Sequence, residues 1–378
     1  MRRTIFSEEH RLFRESVRTF IEREAVPHTD RWEREGMVDR SFWKKAAATG
    51  FVGFEAPTAY GGLGVRDFRF NAVIDEEMMY ASAVGDGFGM ANDIMVPYLL
   101  DLTDDDQKSR WLPGFTSGSL IAAVAMTEPQ AGSDLRGIAA TASRDGDCYI
   151  VNGTKTFITS GLQADLVVTV VRDEDAGGQF SLLAVERGTP GFERGRKLDK
   201  VGHRAQDTSE LFYSDVRVPC ANRLGEAGKG LAYLKQNLPQ ERLSMAVTAV
   251  AAAEKALQIT MEYCRERQVF GRPVGSHQAN RFTIAEMLAE IGRERCHVDR
   301  CIQAHVDGEL TAVEAAAAKL TASELQFQVA DRCLQLHGGY GYMDEYLISR
   351  LWRDARVQRI YGGTSEIMKE IIGRDAGF

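Results

Sequence analysis

The spacing of apolar and polar residues divides the chain into three blocks. Residues 1 to 119 show a helical period, and Phe13, Val17 and Phe20 fall on one face of a first helix. Residues 120 to 230 contain short runs rich in β-branched and aromatic residues, separated by turn residues, which predict strands. From residue 231 to residue 378 the helical period returns in long segments. This order predicts an α+β protein with three domains, 1–119, 120–230 and 231–378.

Glycine, asparagine and proline residues mark boundaries inside these blocks. Asn152-Gly153 lies between two strand-like runs and predicts a tight turn. Pro239 lies within the long apolar segment from Leu231 to Val269, where it predicts a kink or a helix start. Gly338-Gly339 follows a helical segment and predicts where that helix ends.

The charge balance and the apolar runs exclude two classes of partner. The chain has 46 Lys and Arg residues against 54 Asp and Glu residues, which gives a net charge of −8. A general nucleic-acid or membrane-surface role requires a basic face, so we expect neither. The longest apolar runs are too short to cross a membrane, and we expect no membrane insertion.

The chain start and the cysteines bear on the compartment and on metal binding. The first residues are charged and contain no apolar signal segment, which favours a bacterial cytoplasm over the mitochondrial matrix. None of the six cysteines forms a CxxC pair, so the sequence indicates neither a metal site nor a disulfide framework.

Five segments carry a resemblance to a known family. They are AMTEPQAGSDLRG at 125–137, NGTKTFIT at 152–159, RERQVFGRPV at 265–274, QLHGGYGY at 335–342 and RIYGGTSEIMKEIIGR at 359–374. In this order and over essentially the whole chain, they resemble the acyl-CoA dehydrogenase family. The segments GRKLDKVG, AQDTSELFY and NLPQERL are most similar to its long-chain branch.

The resemblance implies a fold and a reaction. The fold would have an N-terminal helical domain, a middle β domain and a C-terminal four-helix bundle. The reaction would be the FAD-dependent α,β-dehydrogenation of an acyl-CoA thioester to the trans-2-enoyl-CoA, in the oxidation of long-chain or branched fatty acids.

The resemblance also implies a set of flavin-binding residues. In the family, the arginine at position 267 reaches the flavin pyrophosphate across a subunit interface, and its permanent charge and fork geometry suit phosphate. Gln130 stands where the family usually has glycine, which leaves open how closely that loop approaches the ligand. The positions that match flavin contacts are Met126, Thr127, Ser133, Phe157, Thr159, Arg267, Phe270, Gln278, Gln335, Gly338, Gly339, Thr364, Ser365 and Glu366.

Two sequence features imply the catalytic base: a glutamate that many family members have is missing, and a second segment that contains a glutamate is present. Many family members carry the base as the glutamate of a Tyr-Glu-Gly-Thr motif, but glycine occupies that position here, at Gly362. The long-chain branch places the base in a Leu-Pro-Gln-Glu-Arg segment, which matches residues 238–242 and assigns the base to Glu241. Without the resemblance, Glu241 would be interpreted as a solvated first-turn glutamate after Pro239. We expect burial to raise its pKa and the neighbouring Arg242 to lower it.

The same segments imply the substrate contacts. They match Ser133, Arg242, Gly362 and Gly363, and the N–H of Gly362 is the expected donor to the thioester carbonyl. Because glycine at position 362 has no side chain beside the α-carbon, we also expect tolerance of branching there.

The family implies further partners, and some alternatives remain. The expected electron acceptor is an electron-transfer flavoprotein, and the expected assembly is a homotetramer built as a dimer of dimers. A flavin oxidase or monooxygenase on the same scaffold, or a non-catalytic relative, remains an alternative. The sequence leaves the acyl chain length open.

Overall fold

The N-terminal part of the chain is helical, as the periodicity predicts. The computed structural model describes residues 3–83 and 87–378. A π-helix at Gly89–Met95 leads directly into the fifth α-helix, and such irregular turns are frequent at functional sites. The α-helices of this part are α1 (Glu8–Glu24), α2 (Thr29–Glu35), α3 (Arg40–Ala48), α4 (Phe68–Tyr80), α5 (Val96–Asp101) and α6 (Asp105–Thr116).

The middle part forms one largely antiparallel sheet. Its strands are β1 (Ala122–Ala125), β2 (Thr141–Asp145), β3 (Cys148–Thr159), β4 (Leu166–Asp173), β5 (Gln179–Glu186), β6 (Phe192–Lys197), β7 (Thr208–Pro219) and β8 (Arg223–Leu224). The strand order is β6-β7-β3-β2-β4-β5-β8, and β1 pairs with β4 in parallel. Strands β1 and β3 therefore belong to the same sheet.

The predicted turn at Asn152-Gly153 is wrong, because both residues lie inside β3. The register between β3 and β7 shifts between Val151 and Gly153, which marks a bulge. Gly153 has φ +146°, and a Cβ at this position would lie 2.7 Å from the Cα of Ala140. Glycine is therefore required here by the close approach of a neighbouring chain segment and not by a turn.

The C-terminal part is again helical. Its helices are α7 (Gly230–Glu266), α8 (Gln278–Val306), α9 (Ala312–His337), α10 (Leu347–Ala355) and α11 (Ser365–Asp375). A short hairpin, β9 (Gln268–Val269) with β10 (Arg272–Pro273), joins α7 to α8. Helix α7 begins before Pro239 and continues through it, so Pro239 is not a helix start. Helix α9 ends at His337, directly before Gly338, as predicted.

The observed architecture is the predicted α+β arrangement, with a helical, a β and a second helical region in that order. Within residues 3–83 and 87–378, no helix is both long enough and apolar enough to cross a membrane. The long helix α7 packs against α4 of the first region and α9 of the third. Residues on α7 therefore lie at the contact between the two helical regions.

Candidate active site

A pocket of about 250 Å³ lies where the three regions meet. Its walls come from the π-helix, the segment after β1, the end of β3, helix α7 and the loop before α11. The structure brings eight of the residues implied by the resemblance to this pocket: Met126, Thr127, Ser133, Thr159, Glu241, Arg242, Gly362 and Gly363. Residues far apart in the sequence are thus neighbours in space.

Glu241 is a buried carboxylate in this pocket. Its residue is 3% exposed and lies well inside α7, so it is not a solvated first-turn glutamate. The hydroxyl of Tyr98 donates a hydrogen bond to its Oε1 at 3.3 Å. Burial raises the pKa of Glu241 to about 7, against the lowering effects of Tyr98 and Arg242. A carboxyl with this pKa is able to exchange a proton near neutral pH.

Two buried cations hold the backbone of the diglycine loop. Arg242 Nε donates to the carbonyl of Gly362 at 3.3 Å, and Lys319 Nζ donates to the carbonyl of Gly363 at 2.7 Å. Burial, together with the charge of Arg242, lowers the pKa of Lys319 to about 8. The two glycines have φ values of +63° and +101°, a region that favours glycine. Hydrogen bonds from both side chains therefore hold the loop in this conformation.

A buried ion pair holds the segment after β1. Lys155 Nζ donates to the Met126 carbonyl at 3.1 Å and to Glu128 Oε1 at 2.7 Å. Glu128 also accepts hydrogen bonds from the N–H groups of Ala139 and Ala140, at 2.7 and 3.0 Å. The Thr156 N–H donates to the Thr127 carbonyl at 2.9 Å. Met126 and Thr127 are thus tied to β3 at the edge of the pocket.

The resemblance did not single out Lys155 or Glu128 as site residues, although both lie within its motifs. Their pairing depends on the alignment of two segments that are separated in the chain. Gln130, where the family usually has glycine, donates to Glu128 through its side-chain amide. It therefore extends the same network.

Phe157 is a large aromatic side chain that the fold leaves exposed. It is 68% exposed, has φ +58° and precedes the pocket residue Thr159 by two positions on β3. A positive φ is costly for a phenylalanine and points to a functional constraint. The strand thus combines a free aromatic face with a threonine hydroxyl beside the pocket.

The remaining predicted cofactor residues of the C-terminal domain lie outside the pocket. The Arg267 guanidinium stands 5.5 Å from the ring centroid of Tyr340, so the hairpin contacts the turn after α9. Phe270, at the tip of the hairpin, is 96% exposed and has φ +49°. Gln278 is the first residue of α8. Gln335, Gly338 and Gly339 belong to the last turn of α9 and the turn that follows it.

The predicted residues Thr364, Ser365 and Glu366 form the start of α11. Thr364 caps the helix by accepting the Ile367 N–H at 3.3 Å. Ser365 is buried and donates to Glu324 at 2.7 Å. None of the three lines the pocket, although they directly follow the diglycine loop in the chain.

A second, larger groove of about 900 Å³ lies between α2, the segment after β6 and α10. Charged side chains line it and pair with one another, as Arg353 does with Asp344 and Arg350 with Asp30. It contains none of the residues implied by the resemblance. The smaller pocket is therefore the candidate active site.

Comparisons with known proteins agree with this arrangement. Three acyl-CoA dehydrogenase family models match, for the N-terminal domain at residues 7–119, the middle domain at 123–216 and the C-terminal domain at 228–377. A mitochondrial long-chain specific acyl-CoA dehydrogenase from Sus scrofa is 46% identical over 99% of this chain and 87% of its own length. A crystal structure of an acyl-CoA dehydrogenase from Geobacillus kaustophilus is 47% identical, covers 99% of both chains and has a TM-score of 0.96.

A third neighbour bears on the cofactor. A glutaryl-CoA dehydrogenase from Mycobacterium smegmatis, solved in complex with FADH2, is 26% identical, with a TM-score of 0.91 over 99% of this chain and 95% of its own. The three regions and their shared pocket are thus those of a flavin-dependent oxidoreductase. The chain belongs to the acyl-CoA dehydrogenase family. It uses FAD to dehydrogenate acyl-CoA thioesters in fatty-acid or branched-chain oxidation.

The residues around the pocket fit FAD. A planar ring system needs an aromatic or apolar face together with a few polar groups at its edge. The exposed Phe157 provides such a face, and the hydroxyls of Thr127 and Thr159 provide polar groups.

Proposed function

We propose that Glu241 is the base that removes the α-proton of the acyl-CoA thioester. The observation that carries this proposal is a buried carboxylate with a pKa of about 7, in the pocket that Thr127, Thr159 and Gly362 also line. Arg242, Ser133, Gly362 and Gly363 are proposed to contact the substrate. The substrate is proposed to be a long-chain or branched fatty acyl-CoA, because the 46% identical relative is specific for long chains.

The residues would divide the reaction as follows. Bound FAD supplies the acceptor for the hydride that leaves the β-carbon. The N–H of Gly362 donates to the thioester carbonyl oxygen, which gains negative charge as the α-proton leaves. The α-proton passes to the carboxylate of Glu241, and the electron pair of the broken C–H bond forms the α,β double bond. Arg242 and Lys319 keep the diglycine backbone in place throughout.

The flavin would be held by two groups of residues. Met126, Thr127, Ser133, Phe157 and Thr159 would hold the flavin ring. The second group, Arg267, Phe270, Gln278, Gln335, Gly338, Gly339, Thr364, Ser365 and Glu366, would bind the remaining parts of FAD. Phe270 is exposed and does not line the pocket of its own chain, which supports binding of a flavin held by a neighbouring subunit. We propose an assembly of at least two subunits, in which Arg267 reaches the pyrophosphate of a partner, and specifically the homotetramer that the resemblance implies.

We also propose the physiological setting. Electrons would pass to an electron-transfer flavoprotein, as the resemblance implies. A bacterial cytoplasm is the proposed compartment on the basis of the charged chain start, since the relatives include both bacterial and mitochondrial proteins.

Anaerobic titration of the purified protein with a panel of acyl-CoAs tests this function. We expect the flavin absorbance to bleach, and the acyl-CoA that bleaches it fastest identifies the substrate class. A flavin-loaded protein that no acyl-CoA bleaches would contradict the proposal and favour a monooxygenase. Purification without flavin absorbance would favour a non-catalytic relative, and rapid reoxidation by oxygen would favour an oxidase.

The pH dependence of flavin reduction tests the environment of Glu241. The base is active when ionised, so the reduction rate should rise as the pH increases through about 7. The Tyr98 hydroxyl stabilises the ionised form, and Tyr98→Phe should therefore move this midpoint upward by about one pH unit. The rate at the high-pH plateau should change little. Tyr233→Phe is the control, because that hydroxyl bonds to the Glu226 N–H instead. An unchanged midpoint in Tyr98→Phe would refute the role of Tyr98.

A further inference from the structure

Met245 occupies the space above Gly362. It lies one helical turn after Glu241 on α7, and both residues line the pocket. A Cβ built on Gly362 would lie 2.4 Å from the Sδ and 2.5 Å from the Cε of Met245. These distances are far shorter than a van der Waals contact. The thioether of Met245 therefore fills the volume that a side chain at position 362 would take.

The position of Met245 explains why glycine is needed at position 362. The sequence led us to expect free space beside the α-carbon, because the usual glutamate is missing. The structure shows that the Met245 side chain fills that space. Glycine at position 362 therefore makes room for this side chain and does not leave an empty cavity. The neighbouring Gly363 is covered in the same way, since its Cβ would lie 2.6 Å from the Cε of Met368. Met368, however, is buried and does not line the pocket.

We propose that Met245 determines how well the enzyme accepts a substituent on the α-carbon. This inference rests on the proposed function, in which the α-carbon lies between the Glu241 carboxylate and Gly362. A 2-methyl group would enter the volume held by the Met245 thioether. Methionine is flexible and can move at a cost, so it disfavours the branched substrate without excluding it. A smaller residue at position 245 removes that cost.

Matched pairs of substrates test the proposal. The rate constants of anaerobic flavin reduction are measured with a 2-methyl-branched acyl-CoA and with its straight-chain analogue. For Met245→Ala, the branched-to-straight ratio should rise by roughly tenfold or more, the effect of about one methylene-sized contact in an apolar pocket. Met245→Leu keeps most of the volume and should leave the ratio within about threefold. Met368→Leu is the control for changing a methionine beside the same loop, and its ratio should equal that of the unaltered protein.

A stability measurement tests the geometry independently of catalysis. Gly362→Ala should lower the unfolding midpoint more in the unaltered protein than in Met245→Ala, because only the first retains the clash. In the second background, the remaining cost is the positive φ of position 362. Additive effects of the two substitutions would overturn the placement of Met245.

The outcomes separate this inference from the proposed function. If straight-chain acyl-CoA reduces the flavin but Met245→Ala leaves the ratio unchanged, the role of Met245 is overturned and the proposed function stands. If no acyl-CoA reduces the folded, flavin-loaded protein, the proposed function is overturned, and this inference with it.

Discussion

Glu241→Gln should lower the rate constant for flavin reduction by acyl-CoA by up to roughly 10⁴-fold, the upper range for the loss of a general base. Glutamine has nearly the same volume, and its amide oxygen is able to accept the Tyr98 hydrogen bond. It has no group that takes up a proton near neutral pH. The substitution therefore removes the proton acceptor and preserves the packing around it. Rapid-mixing absorbance under anaerobic conditions measures the rate of flavin reduction.

Glu262→Gln is the matched control for this experiment. It makes the same change on the same helix, at an exposed residue whose carboxylate accepts from Gln258. Its reduction rate should equal that of the unaltered protein. Glu241→Gln should also fold and retain flavin, because burial disfavours the charged carboxylate above pH 7 and the amide carries no charge. Unchanged bleaching in Glu241→Gln would place the base elsewhere.

Periodicity predicts the order of the three regions, but it cannot bring their residues together. Phe13, Val17 and Phe20 recur at helical spacing, and this local pattern is sufficient to predict α1. Thr127, Glu241 and Gly362 line one pocket although more than a hundred residues separate each from the next along the chain. Only the resemblance of whole motifs to a known family could group these residues before the structure was known.

Packing decides what the sequence could not predict. Tyr98 and Met245 occupy ordinary positions of helices that also bury many apolar residues, and nothing local marks them as neighbours of Glu241 or Gly362. Asn152-Gly153 is a strong local turn signal, yet strand pairing overrides it because the glycine is needed for a close contact. Each of these features depends on how distant segments are aligned, which a local pattern does not contain.

Lys155→Met should destabilise the folded protein by roughly 3 kcal/mol at pH 7, the lower end of the cost of breaking a buried ion pair. The substitution leaves the buried carboxylate of Glu128 without its cation. The N–H groups of Ala139 and Ala140 still donate to that carboxylate, which limits the loss. The Met126 carbonyl also loses a donor, so FAD should dissociate faster. Urea unfolding measures the first effect, and the release of flavin fluorescence measures the second.

Two further variants distinguish an ion-pair effect from a general loss of packing. Adding Glu128→Gln to Lys155→Met removes the unpaired charge and should restore part of the stability. Arg217→Met breaks an exposed ion pair on the same sheet and should leave the stability unchanged, because solvent screens exposed pairs. Burial lowers the pKa of Lys155 from 10.5 to about 8, so between these two pH values the folded protein binds fewer protons than the unfolded chain. The free energy of unfolding of the unaltered protein should therefore rise there, because the cost of burying a charged lysine is relieved. Lys155→Met lacks this titration, so its stability difference from the unaltered protein should grow above pH 8, and a difference that stays constant with pH would show that packing, not charge, holds the segment after β1.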